Sequence, residues 1–464
     1  MEARRSLLEL VYPSGAPGRV CALGTGCPAD LVPASTSDEA ADLVVLAPGG
    51  DATSARGVET MVREALARLQ PGGVVAAVGF AHTRRSLARL LEAAGLRRRL
   101  TLVHVPRGET TMLVSVEGGA LRVAAAAGEG RRARAMASPA LGSLPRWFAL
   151  ATHVFSFADA DVAGWLAAPG VPPLEGLVLR PSWRGAGGSA IATGTVGDRA
   201  VVVGKVGLDD DTADVGRLEA GAIRELGPSA RAAGARVPEV LGVVDLGRRA
   251  AAVLSVLEGA PVAARVRGRG SAIEVADRLA EWLERWGAAT TVVSLPAGAI
   301  ADEVLAPLAA LQSELGQEPI ERVRRLASEV AGREAPLTAR HGDLTLWNVL
   351  DGRGALGIVD WEGAAARAFP LTDVPYLLVD AVAAERADGD RAGAYAACFS
   401  PGGSRAAWAA EITRRAAARL GVSDAVLELA SHACWLGHAA DERRREIVDG
   451  PFARVLRAHA GEYR

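Results

Sequence analysis

The stretch from His341 to Glu362 reads H-G-D-L-T-L-W-N-V-L-D-G-R-G-A-L-G-I-V-D-W-E. It sets Asp343, Asn348 and Asp360 at spacings of five and twelve, with Asp351-Gly352 between two short apolar runs. Asp-Gly flanked by apolar segments is a strong hairpin signal. One strand then begins at Asn348 and the other ends at Asp360, so a carboxamide and a carboxylate lie side by side with Asp343 just ahead of them. Together they form a metal site with a base beside it.

Phosphoryl transfer needs this set, because there the protein mainly positions two reactants and neutralises charge spreading over the transferred oxygens. Mg2+ takes oxygen ligands and keeps several waters, so one carboxylate and one amide suffice once nucleotide phosphates supply the rest. Asp343 then accepts the proton of the attacking hydroxyl. The pattern H-x-D-L-x-x-x-N followed by a strand ending in Asp resembles the catalytic loop and metal-binding Asp of protein kinases. With Gly342 after the His and Trp361-Glu362 after the second Asp, it is more similar to the small-molecule branch, the aminoglycoside phosphotransferase and choline kinase family. The resemblance implies ATP and Mg2+ as cofactors, a small-molecule hydroxyl acceptor, Asp343 as catalytic base, and Asn348 and Asp360 on the metal. Gly342 stands where protein kinases carry an Arg that senses a phosphorylated activation loop, and Glu362 where they carry the Gly of Asp-Phe-Gly. No Ala-Pro-Glu follows, so control by activation-loop phosphorylation is not expected.

The chain has 464 residues, long enough for two or three domains. Half its residues are hydrophobic and 23% are charged, which is ample material for globular cores. A formal net charge of −2 argues against bulk nucleic-acid binding, and the short arginine clusters at 97–99, 131–134 and 443–445 read as solvated faces. The four cysteines show no C-x-x-C spacing, which fits reduced thiols in a cytosol. No apolar run has the length of a signal peptide or a membrane span, so the expectation is a soluble, cytoplasmic protein with no membrane partner. Lys205 is the only lysine among 52 cationic residues, and Asn348 is the only asparagine. A guanidinium does not replace a lysine that must fit among phosphates as a compact point charge.

Residues 1–118 alternate apolar strands with helical patterns, which implies an α/β sheet. The portion with D-L-V-V-L, L-Q-P-G-G-V-V and L-E-A-A-G-L, closed by a hairpin of 100–105 with 111–116, resembles the second half of a class I methyltransferase fold. The cofactor half departs from that pattern. Ala22 stands where an acid would precede Gly24-Thr25-Gly26, and the 15 residues between Gly26 and Asp42 are too few for a strand, a helix and another strand. An accessory, non-catalytic role follows. Residues 119–172 read as a Gly, Ala and Arg-rich connection in which the uncharged run 147–157 packs between domains.

From 173 the pattern becomes strand, glycine loop, strand, turn, strand. The loop offers Gly185, Gly187, Gly188 and Ser189, whose backbone N–H groups can approach phosphates because no side chain intervenes. Lys205 follows on a strand, and Glu219 follows fourteen residues later at the head of a helix. In the kinase-like fold that glutamate holds the strand lysine against the α and β phosphates, so by resemblance Lys205 binds phosphate and Glu219 supports it, with Glu225 the second choice. The segment A-V-L-S-V-L-E-G resembles the adenine-reading hinge, with Ser255 and Leu257 making the contacts. The small lobe spans 173–259. A mainly helical large lobe spans 260–464, with catalytic loop 341–348, and its helices include one opened by the Ser271-x-x-Glu274 capping box.

The expected activity is transfer of the ATP γ-phosphoryl group to a hydroxyl of a sugar, aminoglycoside-like or amino-alcohol acceptor. Two alternatives stay open. One is a non-catalytic pseudokinase joined to a methyltransferase remnant, and the other is a bifunctional methyltransferase-kinase. Near the catalytic loop Glu385, Asp388 and Asp390 alternate with Arg386 and Arg391, so their field largely cancels and a neutral sugar is favoured over a polycation.

Overall fold

The computed structural model describes residues 19–23, 41–48, 55–79, 81–107, 110–115, 151–156, 163–181, 188–266, 271–352, 354–386, 389–444, 447 and 449–461. Gly24-Thr25-Gly26, Gly185, Gly187 and Asp388 lie outside the described residues. The chain packs as two compact units, Met1–Arg217 with Glu239–Val256, and Leu218–Pro238 with Leu257–Arg464.

The first unit is built on one eleven-stranded sheet. It begins with parallel strands β1 (Val20–Leu23), β2 (Ala41–Leu46) and β3 (Leu69–Gly79). Helices α1 (Ala55–Arg68) and α2 (Ala81–Ala93) cover one face. Both faces of β2 and β3 are apolar because both are covered, as parallel strands require. Val44, Leu46, Val75 and Ala77 pack with Val62, Leu87 and Leu91 of the two helices, and the alternate residues Leu43, Val45, Val74 and Ala76 enter the opposite core. The expected closing hairpin forms as β4 (Arg97–Arg107) and β5 (Thr110–Ser115).

The run expected to pack between domains instead contributes a strand. β6 (Ala151–Ser156) is wedged antiparallel between β3 and β4. Its sequence T-H-V-F-S is β-branched and aromatic, a strand signal hidden by the Gly and Ala-rich flanks. β5 then pairs with β7 (Gly176–Pro181), so the sheet runs on without a break through β8 (Ser189–Val196) and β9 (Arg199–Gly207). β11 (Arg249–Leu254) lies between β9 and the edge strand β10 (Val240–Leu246). A single core joins Leu43, Val74 and Val78 to Leu177, Val202 and Val253.

In the second unit, the C-terminal end of helix α3 (Val215–Ala232) is tied to α4 (Ser271–Thr290). The indole N–H groups of Trp282 and Trp286 donate to Ala230 O at 3.3 Å and Ser229 Oγ at 3.0 Å. The helical stretch 297–311 contains a π turn at Ala301–Leu305. α5 (Gln317–Ala331), α6 (Asp373–Arg386), α7 (Arg391–Phe399), α8 (Ala406–Leu420), α9 (Asp424–Arg444) and α10 (Pro451–Gly461) complete the helices used below. Two small sheets carry the order β12 (Ala260–Pro261), β15 (Val349–Asp351), β16 (Gly357–Ile358) and the order β13 (Val292–Ser294), β14 (Ala335–Arg340), β17 (Ala365–Ala368). Among the described residues no helix is long and apolar enough to cross a membrane.

Candidate active site

The hairpin forms, but with Val349 opposite Ile358 and Leu350 opposite Gly357, a register that sets Asn348 against Val359 rather than Asp360, and its connection is longer than the Asp351-Gly352 turn. β15 is a central strand that also pairs with β12, and a Cβ on Gly352 would meet Glu258 O at 2.7 Å. Gly352 therefore serves close approach of that neighbouring segment. Among the described residues of the connection, Gly354 is left-handed, at φ +86°. Val359 N donates to Asn348 O at 3.0 Å, which brings the Asn348 and Asp360 backbones together.

The catalytic-loop residues meet in one place. Asn348 Nδ2 donates to Asp343 Oδ2 at 2.8 Å and to Asp343 O at 2.9 Å. A carboxylate only accepts, so the amide must turn its nitrogen this way, and its Oδ1, the atom a hard cation binds, faces away from Asp343. Asp343 Oδ1 accepts from the Tyr376 hydroxyl at 2.9 Å. Burial first, and then the Asp360 charge, push the Asp343 carboxyl up to about 7, against the pull of the Tyr376 and Asn348 hydrogen bonds. That value suits a general base at neutral pH.

Asp360 adopts φ +72°, an uncommon conformation for a residue with a Cβ and one that clusters at functional sites. Glu219, expected to stand beside Lys205, contributes an oxygen to a trio with Asp360 and Glu362 whose ligand atoms lie within 4.8 Å of one another. Its Oε1 accepts from Trp361 N at 3.3 Å, which ties α3 to the residue after Asp360. Asn348 Oδ1 and these carboxylates are hard oxygen donors, a set that fits Mg2+ and carries no thiolate or imidazole that would favour zinc.

His341 is fully buried and supports the loop. Its Nε2 lies 3.1 Å from Val359 O, its ring meets Trp361 edge-on at 4.9 Å, and Asp343 N donates to its Nδ1 at 3.4 Å. Gly342, at φ +85°, has no room for a side chain because a Cβ would lie 2.4 Å from Gly363 O. That contact explains locally why an arginine is missing here.

The sequence shows a helix from Asp373 but not that its polar face holds this loop. Along α6, Asp373, Tyr376 and Asp380 recur at spacings of three and four, so they share one face. Asp373 accepts from His341 N at 2.6 Å and Gly342 N at 2.8 Å. Asp380 accepts from Leu346 N at 2.9 Å and from Arg391 Nη2 at 2.8 Å. The legible signal was two acids and a phenol at helical spacing within an apolar helix, where polar groups stay only if partnered.

Of the residues expected on the nucleotide side, Lys205, Gly188, Ser189 and Ser255 lie in the first unit and Glu219 and Leu257 in the second. Lys205 is buried on β9, opposite Ile191 on one side and Ala252 on the other. Beside it, a Cβ on Gly204 would lie 2.5 Å from Trp165 and Leu166. Gly188 N donates to Asp209 Oδ2 at 2.8 Å, so this N–H of the glycine loop is held by protein, and Thr212 Oγ1 donates to Gly188 O at 2.8 Å. Ser189 is the first residue of β8 and is buried. Ser255 follows β11. Its N–H donates to Glu239 O at 2.9 Å and its Oγ accepts from Glu239 N at 2.8 Å, so its carbonyl is the group open to a hinge role. Leu257 lies in the irregular run before β12, and its Cδ1 approaches Gly357.

No family model and no curated protein matches the chain. Among solved structures the chain is similar to a protein described as a fructosamine-3-kinase from Haemophilus somnus, at 10% identity over 62% of this chain and 91% of that one, with a TM-score of 0.39. An aminoglycoside phosphotransferase from Streptomyces rimosus, in complex with ADP and streptomycin, gives 19% identity over 61% and 92%, with a TM-score of 0.32. A choline/ethanolamine kinase family protein from Mesorhizobium loti gives 19% over 71% and 97%, with a TM-score of 0.31.

Proposed function

We propose that the protein is an ATP-dependent phosphotransferase that moves the γ-phosphoryl group to a hydroxyl of a small molecule. The observation that carries this reading is the Asn348 amide. Its nitrogen bonds the Asp343 carboxylate while its oxygen is turned towards the cation role, so a base and a metal ligand are fixed by one planar group. In this reading Asp343 accepts the acceptor's hydroxyl proton as the phosphoryl oxygen bond forms. Asn348 and Asp360 hold Mg2+, which neutralises phosphate charge when bound. A cation there draws the Asp343 carboxyl below about 7, because a nearby positive charge favours the ionised form. Lys205 contacts the phosphates with Glu219 in support. Gly185, Gly187, Gly188 and Ser189 line the phosphate loop, and Ser255 and Leu257 read the base.

The acceptor class is a neutral sugar first, then aminoglycoside-like compounds and amino alcohols. The same reading divides the chain into an accessory domain at 1–118, a connection at 119–172, a small lobe at 173–259 and a large lobe at 260–464. The antiparallel strand β6, wedged between two strands that run in one direction, supports a methyltransferase-like topology for the accessory part.

The test is a mass-spectrometric search for a phosphorylated product after incubating the full chain, Mg2+ and ATP with sugars, polyols, aminoglycosides, nucleosides and amino alcohols. Asp343→Asn is the control. A product absent from the control is expected. Turnover by Asp343→Asn equal to wild type removes Asp343 as base, and a chain that neither binds nor consumes Mg-ATP favours the pseudokinase.

A further inference from the structure

Asp343 has each carboxylate oxygen bonded to a different side chain. Asn348 reaches Oδ2 from within the loop, and Tyr376 reaches Oδ1 from α6 at 2.9 Å. The Tyr376 ring is buried and clamped, stacked on His438 of α9 with centroids 3.9 Å apart and tilted against Phe452 of α10 at 5.5 Å. Phe452 in turn stacks on His438 at 4.9 Å and lies under the Arg391 guanidinium at 4.9 Å. A phenylalanine would fill this aromatic stack equally well. The hydroxyl therefore contributes something the packing does not use, and its partner is the carboxylate to which the proposed reaction delivers its proton.

A carboxylate held at one oxygen still swings about the Cβ–Cγ bond, and one held at both is fixed in its plane. Each carboxylate oxygen offers about two lone-pair directions, so Oδ1 keeps one after accepting from Tyr376. That direction is where an acceptor hydroxyl must sit, and a group misplaced by about 1 Å loses on the order of 100-fold in rate. From this geometry we infer that Tyr376 is a positioning residue, which fixes the Asp343 carboxylate plane so that the free lone pair of Oδ1 meets the attacking hydroxyl or water. The inference rests on the phosphotransferase reading. It adds that the last two helices take part in that reaction through the ring they clamp.

The probe is Mg-ATP alone, with the full-length chain and water as acceptor, following ADP release together with nucleotide affinity and melting temperature. Tyr376→Phe is expected to lower turnover about 10- to 100-fold, the effect of misplacing a reacting group by a fraction of an ångström, while Mg-ATP affinity stays at the wild-type value and the melting temperature falls by no more than the few degrees that loss of one hydrogen bond costs. Unchanged turnover overturns the inference. Parallel losses of turnover, affinity and melting temperature also overturn it, since they mark a structural prop. A cycle with Asp343→Asn supplies a second reading. Tyr376→Phe should change nothing further once the carboxylate is gone, and additive losses count against the inference. If wild type neither binds nor hydrolyses Mg-ATP, the phosphotransferase reading falls and the inference with it; if wild type is active and Tyr376→Phe matches it, only the inference falls.

Discussion

The catalytic loop and the lysine strand are held in opposite ways. Residues 341–346 have little regular structure, and three of their backbone N–H groups are met by acid side chains of α6, Asp373 taking two and Asp380 a third. Lys205 sits on a strand whose ladder is made by main-chain groups of β8 and β11. In the first region each bond names a residue, so identity is constrained position by position. In the second, any side chains that fit a pleated surface preserve the frame, and constraint falls on a few positions such as Gly204, where Trp165 leaves no room for a Cβ.

Asp343→Asn attacks the loop at its reacting end and is expected to lower turnover about 100- to 10,000-fold, the range for loss of a general base, with Mg-ATP binding retained by calorimetry. Asp373→Ala attacks its support. It leaves two buried N–H groups without their acceptor, at about 1–3 kcal/mol each, so scanning calorimetry should show a melting temperature lower by on the order of 10 °C. On the strand side, the comparable side-chain tie is Asp209 to Gly188. Asp209→Ala should raise the KM for ATP about 10-fold with kcat nearly unchanged, a loss of one charge-assisted bond. An equal fall in kcat would erase the contrast between the two regions.

The smallest effect belongs to an ion-pair cluster between α5 and α9. The Glu428 carboxyl is held down to about 2, first by the His432 imidazole 3.7 Å away and then by its hydrogen bond from Arg322. A depressed carboxyl contributes stability that is complete above its unfolded pKa near 4.5 and is lost as pH falls through 2. The pair is partly solvated, so the contribution is discounted to that of a screened ion pair. The melting temperatures of wild type and Glu428→Gln should differ by about 2 °C at pH 6 and converge between pH 4.5 and 2. A constant gap would place the effect in packing instead.

This difference in construction also decides what the sequence made legible. Asp343, Asn348 and Asp360 are close in the chain and joined by a hairpin, so spacing alone brings them together. The helix opened by Ser271-x-x-Glu274 was legible as well, because its capping residues and apolar period are local signals. Asp373, Tyr376 and Asp380 were overlooked because their partners lie 31 to 34 positions away, and a helix pattern reports burial without saying which polar group the buried face meets. β6 was lost inside low-complexity flanks. The pairing of β5 with β7 is made by main-chain groups, which leave no mark in residue identity.

The position of β6 also orders events while the chain is being made. β3 and β4 are separated in the sheet by a strand that emerges only after residue 156, although the later of the two is complete at 107. At usual synthesis rates of roughly 5–20 residues per second, the nascent chain waits several seconds with two apolar strand edges exposed. A second wait follows at the other end, where β9 borders β11 rather than the earlier-made β10. Translation slowed within 108–150, while those edges lie open, should therefore lower the yield of folded protein more than the same delay placed after 254.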